Sequence, residues 1–292
     1  MNDYLVRGMT MDGFVKVVAI RSTALVRRGA QIQGTTPNAT AAFGRCLTAA
    51  SMMGNMQKVD NGSMTLQVRG GGPIGTITVV SDPEGNVRGC VTEPRVPLVE
   101  KFPGKLDVGA TVGTDGTLTV IRDLQMKEPY IGSTPLVSGE IGDDVTAYFA
   151  QSEQTPTACA LGVLVDTDLS VKVAGGYLVQ LLPGAPDEVI DKLEAGIQKA
   201  GAVTAMLEAG LTPEDILGQV CGDLGVVFME TTEVSYKCYC SRERVESALI
   251  SLGRQELTEI MEEGKTFPVE CQFCDTVYEF TPEDIREMLE KI

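Results

Sequence analysis

The chain has 292 residues, 43% of them hydrophobic and 22% charged, enough to bury a sizeable core in about two domains. Its net charge of −16, from 40 acidic and 24 basic residues, is the reverse of the basic stripe that displaces counterions from nucleic acid, so no nucleic-acid partner is expected. It contains no histidine, which excludes Ser-His-Asp triads, Cys-His proteases, HExxH metalloproteases and zinc deaminases, and leaves cysteine, carboxylate or backbone to hold any metal.

The opening "MNDYLVRGMTMDGFVKVVAI" lacks a basic region followed by an apolar block, and no run approaches the roughly 18 apolar residues of a membrane helix. A cytoplasmic protein with no membrane partner is expected. "NATAAFGRCLTAASMMGNMQ", residues 38–57, reads as a helix with Asn38 as its N-cap. "SMTLQVRG", "IGTITVVS" and "TLTVIRDL" are β-branched runs bounded by glycine, aspartate and proline, as strands are. The "GGGPIG" between the first two, residues 70–75, lacks the GK[ST] of a P-loop and the GxGxxG spacing of a dinucleotide site, and reads as a turn. "GEIGDDVTAYFAQSEQT" predicts a second helix, closed near Thr155 and Pro156. "ALGVLV" and "GGYLVQLLPG" predict two buried strands. This mixed order implies an α+β fold class, with a sheet-and-helix N-terminal domain over 1–183.

The texture changes from Pro183. "PGAPDEVIDKLEAGIQKAGAV" sets Ile190, Leu193 and Ile197 at helical spacing, and "LTPEDILGQV" offers Thr212 as N-cap with Pro213 at the first helical position. These amphipathic segments are too poor in apolar residues for a core of their own, so 184–235 reads as a helical linker packed on the N-terminal domain. In the last segment, 236–292, "SRERVESALISL" places Val245, Ala248, Leu249 and Leu252 on one helix face, and "TPEDIREMLEKI" does the same with Ile285, Met288, Leu289 and Ile292. Thr281 and Asp284 stand as a capping-box variant. The Glu-rich "ELTEIMEEGK" reads as a solvated helix face. A module this small is marginal without a disulfide or metal staple.

Four of the eight cysteines sit in this module, as Cys238-Tyr-Cys240 and Cys271-Gln-Phe-Cys274. In extended backbone residues i and i+2 face one side, so both sulfurs of the first pair can address one point. The second pair has the spacing of a metal knuckle. Two close pairs suit tetrahedral zinc, and clustered cysteines in a cytosolic chain favour metal over structural disulfides. A zinc-binding module with Zn2+ held by Cys238, Cys240, Cys271 and Cys274 is therefore expected. Spacing alone is met by a purely structural zinc, stapling a module with one constitutive partner, or by a thiol–disulfide oxidoreductase using Cys271 and Cys274. Cys46, Cys90, Cys159 and Cys221 lie among small or apolar residues and read as buried free thiols. Cys221 falls within the linker and would be bared if that segment opened.

"CYCSRERV" followed by "ECQFCDTVYEF" closely resembles the signature of the bacterial 33-kilodalton heat-shock protein family, the redox-switched holdase chaperones. The resemblance continues through "GGGPIGTITV", "RDLQMKEPYIGSTPLVSGEI", "SEQTPTACALGVLV" and "GGYLVQLLPGA", in order and over essentially the whole chain. It implies the same four zinc ligands, and disulfides Cys238–Cys240 and Cys271–Cys274 after oxidation. It also implies unfolding client proteins as partners, a homodimeric active form joined through the N-terminal domain, and no enzymatic turnover. Cys221 stands outside the family motif, and an off-pattern disulfide through it would compromise the reversibility of the switch.

Overall fold

The computed structural model describes residues 2–57, 59 and 61–292, and divides into two units, Met1–Lys237 and Cys238–Ile292. In the first, β1 (Tyr4–Thr10) and β2 (Val15–Arg21) form an antiparallel hairpin followed by α1 (Thr23–Gln33) and α2 (Pro37–Asn55). A meander follows: β3 (Ser63–Arg69), β4 (Thr76–Ser81), β5 (Val87–Val91), the short pair β6 (Glu100–Phe102) and β7 (Lys105–Leu106), α3 (Val108–Val112), β8 (Thr117–Asp123) and β9 (Tyr130–Pro135). Helix α4 (Gly142–Gln151) leads into β10 (Thr157–Val165) and β11 (Val171–Leu181). Helices α5 (Asp187–Ala200), α6 (Val203–Glu208) and α7 (Pro213–Cys221) precede β12 (Val226–Glu233).

Two five-stranded antiparallel sheets result, in the orders β10-β11-β2-β1-β12 and β5-β4-β3-β8-β9. Helix α2 packs against both. Seventeen of its 19 residues are buried, so its run of Ala, Gly, Thr and Ser lets strands approach on every side, as an all-round buried helix requires. The first sheet is covered on both faces. Leu5, Val18, Ile20 and Leu178 join the α2 core, while Val6, Val17, Ala19 and Val179 pack under Val189, Leu193, Ile216 and Leu217 of the later helices. The α+β class is thus observed. The "GGGPIG" run joins β3 to β4, and a Cβ at Gly70 or Gly72 would stand 2.4–2.6 Å from the carbonyl oxygens of residues 111–113. This close backbone approach explains the glycines.

Several readings of local sequence differ from the fold. Asn38 is not the N-cap of α2: Thr36 holds that place and Pro37 is the first helical residue. Asn38 is buried at the second helical position, where its amide donates to Val99 O (2.9 Å), Asp107 O (3.2 Å) and Thr111 Oγ1 (3.1 Å) and accepts from Val99 N–H (3.2 Å), pinning the 99–111 excursion. The 184–235 segment is not wholly helical. Its last part, "VVFMETTE", is β12, whose β-branched residues complete the edge left by β1. Cys46 and Cys221 are buried, but Cys90 and Cys159 only half so.

Asp144 was not singled out by sequence, and it organises the entry to α4. Its carboxylate accepts N–H bonds from Val137 (2.7 Å), Ser138 (3.0 Å), Gly139 (3.4 Å) and Ile141 (2.9 Å), and it is fully buried. Asp144→Ala strands these donors and should cost about 3 kcal/mol or more, since bonds to a charged acceptor are the strong ones. A shift of the urea midpoint of the first unit measures it; an unchanged midpoint refutes it.

The second unit contains α8 (Arg242–Ile250), α9 (Arg254–Glu262), the hairpin β13 (Phe267–Glu270) and β14 (Val277–Phe280), and α10 (Pro282–Glu290). Its core is Leu249, Leu257, Phe280, Ile285, Met288 and Leu289. Ala248 and Leu252, expected on the apolar face, are exposed: Leu252 lies beyond the end of α8 at Ile250, and Ala248, within the helix, faces solvent. The Glu-rich stretch read as a solvated face is α9, whose glutamates are solvated while Leu257 is fully buried and Ile260 and Met261 pack partly buried against the core. The Thr281–Asp284 capping box is present, with Asp284 Oδ2 accepting from Thr281 N–H at 2.7 Å.

Candidate metal centre

Cys238 and Cys240 lie in the extended segment that leads to α8. Ser241 caps that helix, accepting from Arg244 N–H at 3.4 Å. Two arginines of α8 fix the segment's course. Arg244 donates to Tyr239 O (2.8 Å). Arg242 donates to Glu279 O (2.8 Å), pairs with Asp284 (3.0 Å) and lies 4.4 Å over the Phe280 ring, tying the start of α8 to β14 and α10. Cys271 and Cys274 occupy the β13–β14 loop. There Cys271 N–H donates to Thr276 O (2.9 Å), while the N–H groups of Cys274 and Asp275 both turn back to Cys271 O (3.1 Å each). Asp275 closes this knuckle with a left-handed φ of 59°, a conformation that aspartate tolerates.

All four sulfurs gather within 4.8 Å of one another. Cys238 Sγ is 3.8 Å from Cys271 Sγ, and Cys240 Sγ is 3.3 Å from Cys274 Sγ, so each close pair in sequence faces the other pair in space. A tetrahedron with metal–sulfur bonds near 2.3 Å has edges of about 3.8 Å, which this cluster approaches. None of the eight cysteines is joined in a disulfide.

The electrostatics also fit a cation. Burial pushes the Cys238 thiol up to about 12 and raises that of Cys271. At Cys274 burial acts in the same direction but is outweighed by the Thr276 hydroxyl and N–H, then by the neighbouring sulfurs, which hold the thiol down to about 7. Gathering four thiolates here is therefore costly unless a positive ion lies among them. Tyr278 donates its hydroxyl to Cys240 Sγ at 3.1 Å; that bond first, and burial second, push its phenol up to about 12. It remains a donor at neutral pH. Sequence reading did not single out Tyr278, although its position four residues beyond the knuckle was a usable signal.

Outer-shell donors of this kind typically govern metal affinity by 10–100-fold. Tyr278→Phe should weaken metal retention about tenfold in competition with a chromophoric chelator. Retention equal to the parent chain would place Tyr278 outside the site's energetics.

The other cysteines stand apart from the cluster, in the first unit. Burial raises the thiol of Cys46, pushes Cys159 up to about 12, and pushes Cys221 up to about 11 with the Asp12 carboxylate adding to it. All three remain protonated and poorly nucleophilic.

A two-sheet antiparallel α+β unit followed by a small module with a four-cysteine cluster defines a two-unit protein with a candidate metal centre. The family model described as Hsp33 protein matches residues 3–281, and the chain belongs to this chaperone family. It is 47% identical to the 33 kDa chaperonin of Bacillus cereus (strain G9842) over 292 residues, the whole of both chains. It is 44% identical to the 33 kDa chaperonin of Alkaliphilus oremlandii (strain OhILAs), covering all of this chain and 98% of that one. The crystal structure of the 33 kDa chaperonin (heat shock protein 33 homolog) of Thermotoga maritima superposes with a TM-score of 0.91 at 34% identity, covering 100% of this chain and 99% of the other. These relatives bear the name of a chaperonin, not of an enzyme. No helix among the described residues is long and apolar enough to cross a membrane.

Proposed function

We propose that the chain is a redox-regulated, ATP-independent holdase chaperone of the cytoplasm, switched on by oxidation of its four-cysteine centre. The observation that carries this reading is the gathering of Cys238, Cys240, Cys271 and Cys274 within 4.8 Å in a unit with only six fully apolar core residues. These four residues hold one Zn2+, which when bound keeps their sulfurs as thiolates and contributes roughly 10–16 kcal/mol of binding free energy to folding. In each close pair, one thiolate attacks peroxide to give a sulfenic acid and hydroxide. The partner thiolate then displaces a second hydroxide to form Cys238–Cys240 or Cys271–Cys274, solvent protonating both hydroxides to water and two electrons passing to each peroxide. Disulfide sulfur is a poor ligand, so oxidation dismantles the ligand set and with it the fold of the module.

Chain continuity carries the change onward, because β12 runs through Val234–Lys237 directly into Cys238. Residues 184–235 then leave the first sheet, baring Leu193, Ile216 and Leu217 on one side and Val6, Val17 and Val179 on the other. Contiguous apolar surface of this kind binds other unfolding chains without turnover or nucleotide. The active form is a homodimer joined through the N-terminal domain.

The test is light scattering from a thermally unfolding client, with the reduced metal-loaded chain and with the same chain after warm peroxide. Suppression by the oxidised sample alone is expected. Equal behaviour of the two would leave the metal as a staple and end this reading.

A further inference from the structure

Strand β5 ends the second sheet, and its outer edge is closed by residues 235–237 of the chain itself. Val87 N–H donates to Ser235 O (3.0 Å) and Val87 O accepts from Lys237 N–H (2.8 Å), which makes a parallel bridge between Val87 and Tyr236. At Gly89, the next residue facing outward on that edge, a side chain stands in for a strand. The Tyr236 hydroxyl donates to Gly89 O (2.9 Å) and accepts from Gly89 N–H (3.2 Å). Its ring is half-buried against α1, where a Cβ at Gly29 would stand 2.8 Å from Leu47 Cδ1, 3.1 Å from Tyr236 Cε2 and 3.2 Å from Phe43 Cε1. Gly29 thus leaves room for an aromatic ring beside Leu47 and Phe43. Asn86, held by Asp82 at 3.1 Å, adds an acceptor for the N–H (3.1 Å) and hydroxyl (2.9 Å) of Ser235.

The occupant shows what the slot reads. A sheet edge takes any extended backbone, but the cleft takes a ring, and Gly89 calls for a group that both donates and accepts. Tyrosine alone among the side chains brings an aromatic body and such a tip. We propose that the outer edge of β5, with this cleft, is a binding site for extended client segments bearing a tyrosine, and that residues 235–237 fill it as a stand-in while the chain is reduced. The inference rests on the holdase reading for how the site opens. Tyr236 lies between β12 and Cys238, with folded structure before and after it. Once both are lost it is only a tethered competitor, which a client already held on the bared first sheet can displace.

The experiment titrates two reduced, metal-loaded full chains, the parent and Tyr236→Ala, with the capped peptide Glu-Val-Ser-Tyr-Lys, a copy of residues 233–237, and follows backbone amides by NMR. In the variant, saturable shifts at Val87 and Gly89 are expected, with β9 at the opposite edge of the same sheet unmoved. The parent should bind about tenfold more weakly, its slot being filled from within. Phenylalanine in place of the peptide's tyrosine should cost about tenfold, since Gly89 loses a donor and an acceptor, and alanine should abolish saturation. The parent after warm peroxide should bind as the variant does. Tyr236→Phe, which keeps the ring, serves if the alanine variant unfolds. Absence of saturable shifts in the vacated chain, equal binding of the three peptides, or shifts led by β9 as in indiscriminate edge pairing would each overturn the assignment. So would an oxidised parent that suppresses client scattering yet ignores the peptide. The reduced variant needs neither oxidant nor client, so failure of the slot and failure of the holdase reading are separate results.

Discussion

Chelating the metal from the reduced chain should unfold Cys238–Ile292 while Met1–Lys237 keeps its structure. The two units have unequal means of support. The first has two covered sheets around a helix with 17 buried residues. The second has six buried apolar side chains, a two-stranded hairpin and three helices of nine residues each, and isolated helices of that length are marginal in water. Structural zinc contributes roughly 10–16 kcal/mol, as much as the whole stability of an average domain. Removing it leaves four neighbouring thiols, two of them raised by burial, and no compensating attraction. Hydrogen exchange should show amides of β13, β14 and α10 falling to unprotected rates, with those of β3, β4 and β8 unchanged. Retained protection in the hairpin would mean that the small core suffices, and the metal could not then transmit a signal through folding.

What could be read from sequence, and what could not, follows from how local each determinant is. The cysteine cluster was legible because spacing of two and three residues on short segments fixes sulfur positions almost independently of the rest of the chain. Its outer support was not, since Tyr278 reaches Cys240 across 38 residues. The capping box at Thr281 was legible for the same reason of locality. Strands β1 and β2 gave no alternating signal, because both faces of their sheet are covered and Val17, Val18, Ala19 and Ile20 are all buried. Leu257, with Ile260 and Met261 beside it on the core, hid within a run whose glutamates are indeed solvated. Asn38 was illegible in a different way: its partners lie 61 to 73 residues away, so local sequence suggested a cap while tertiary contacts made it a hub. Asp144 is held locally, by N–H groups three to seven residues before it, but in an irregular loop whose course no periodicity announces. Strand β12 was taken into the helical linker because nothing in "VVFMETTE" indicates that a free edge awaits it at β1.

Leu217→Asp should turn the reduced, metal-loaded chain into a constitutive holdase. Leu217 is fully buried on α7, in the cluster that joins α5–α7 to the first sheet. Removing such a side chain costs about 2–5 kcal/mol, and an unpaired carboxylate in its place adds several more. The cheapest escape is local: α5–α7 and β12 lift away, while α2 keeps its contacts with both sheets. Such sub-global opening needs less free energy than complete unfolding. Hydrogen exchange should therefore rise throughout 184–235, and client scattering should fall without peroxide. Leu193→Ala on α5 makes the same perturbation more gently and serves if the aspartate variant unfolds altogether. If 184–235 loses protection and the client still aggregates, then undocking is not what creates the client-binding surface, whatever oxidation does to the cysteines. If the reduced variant protects as well as the oxidised parent, the cysteine centre acts only as the trigger, and the capacity to bind clients resides in the first unit and the segment that covers it.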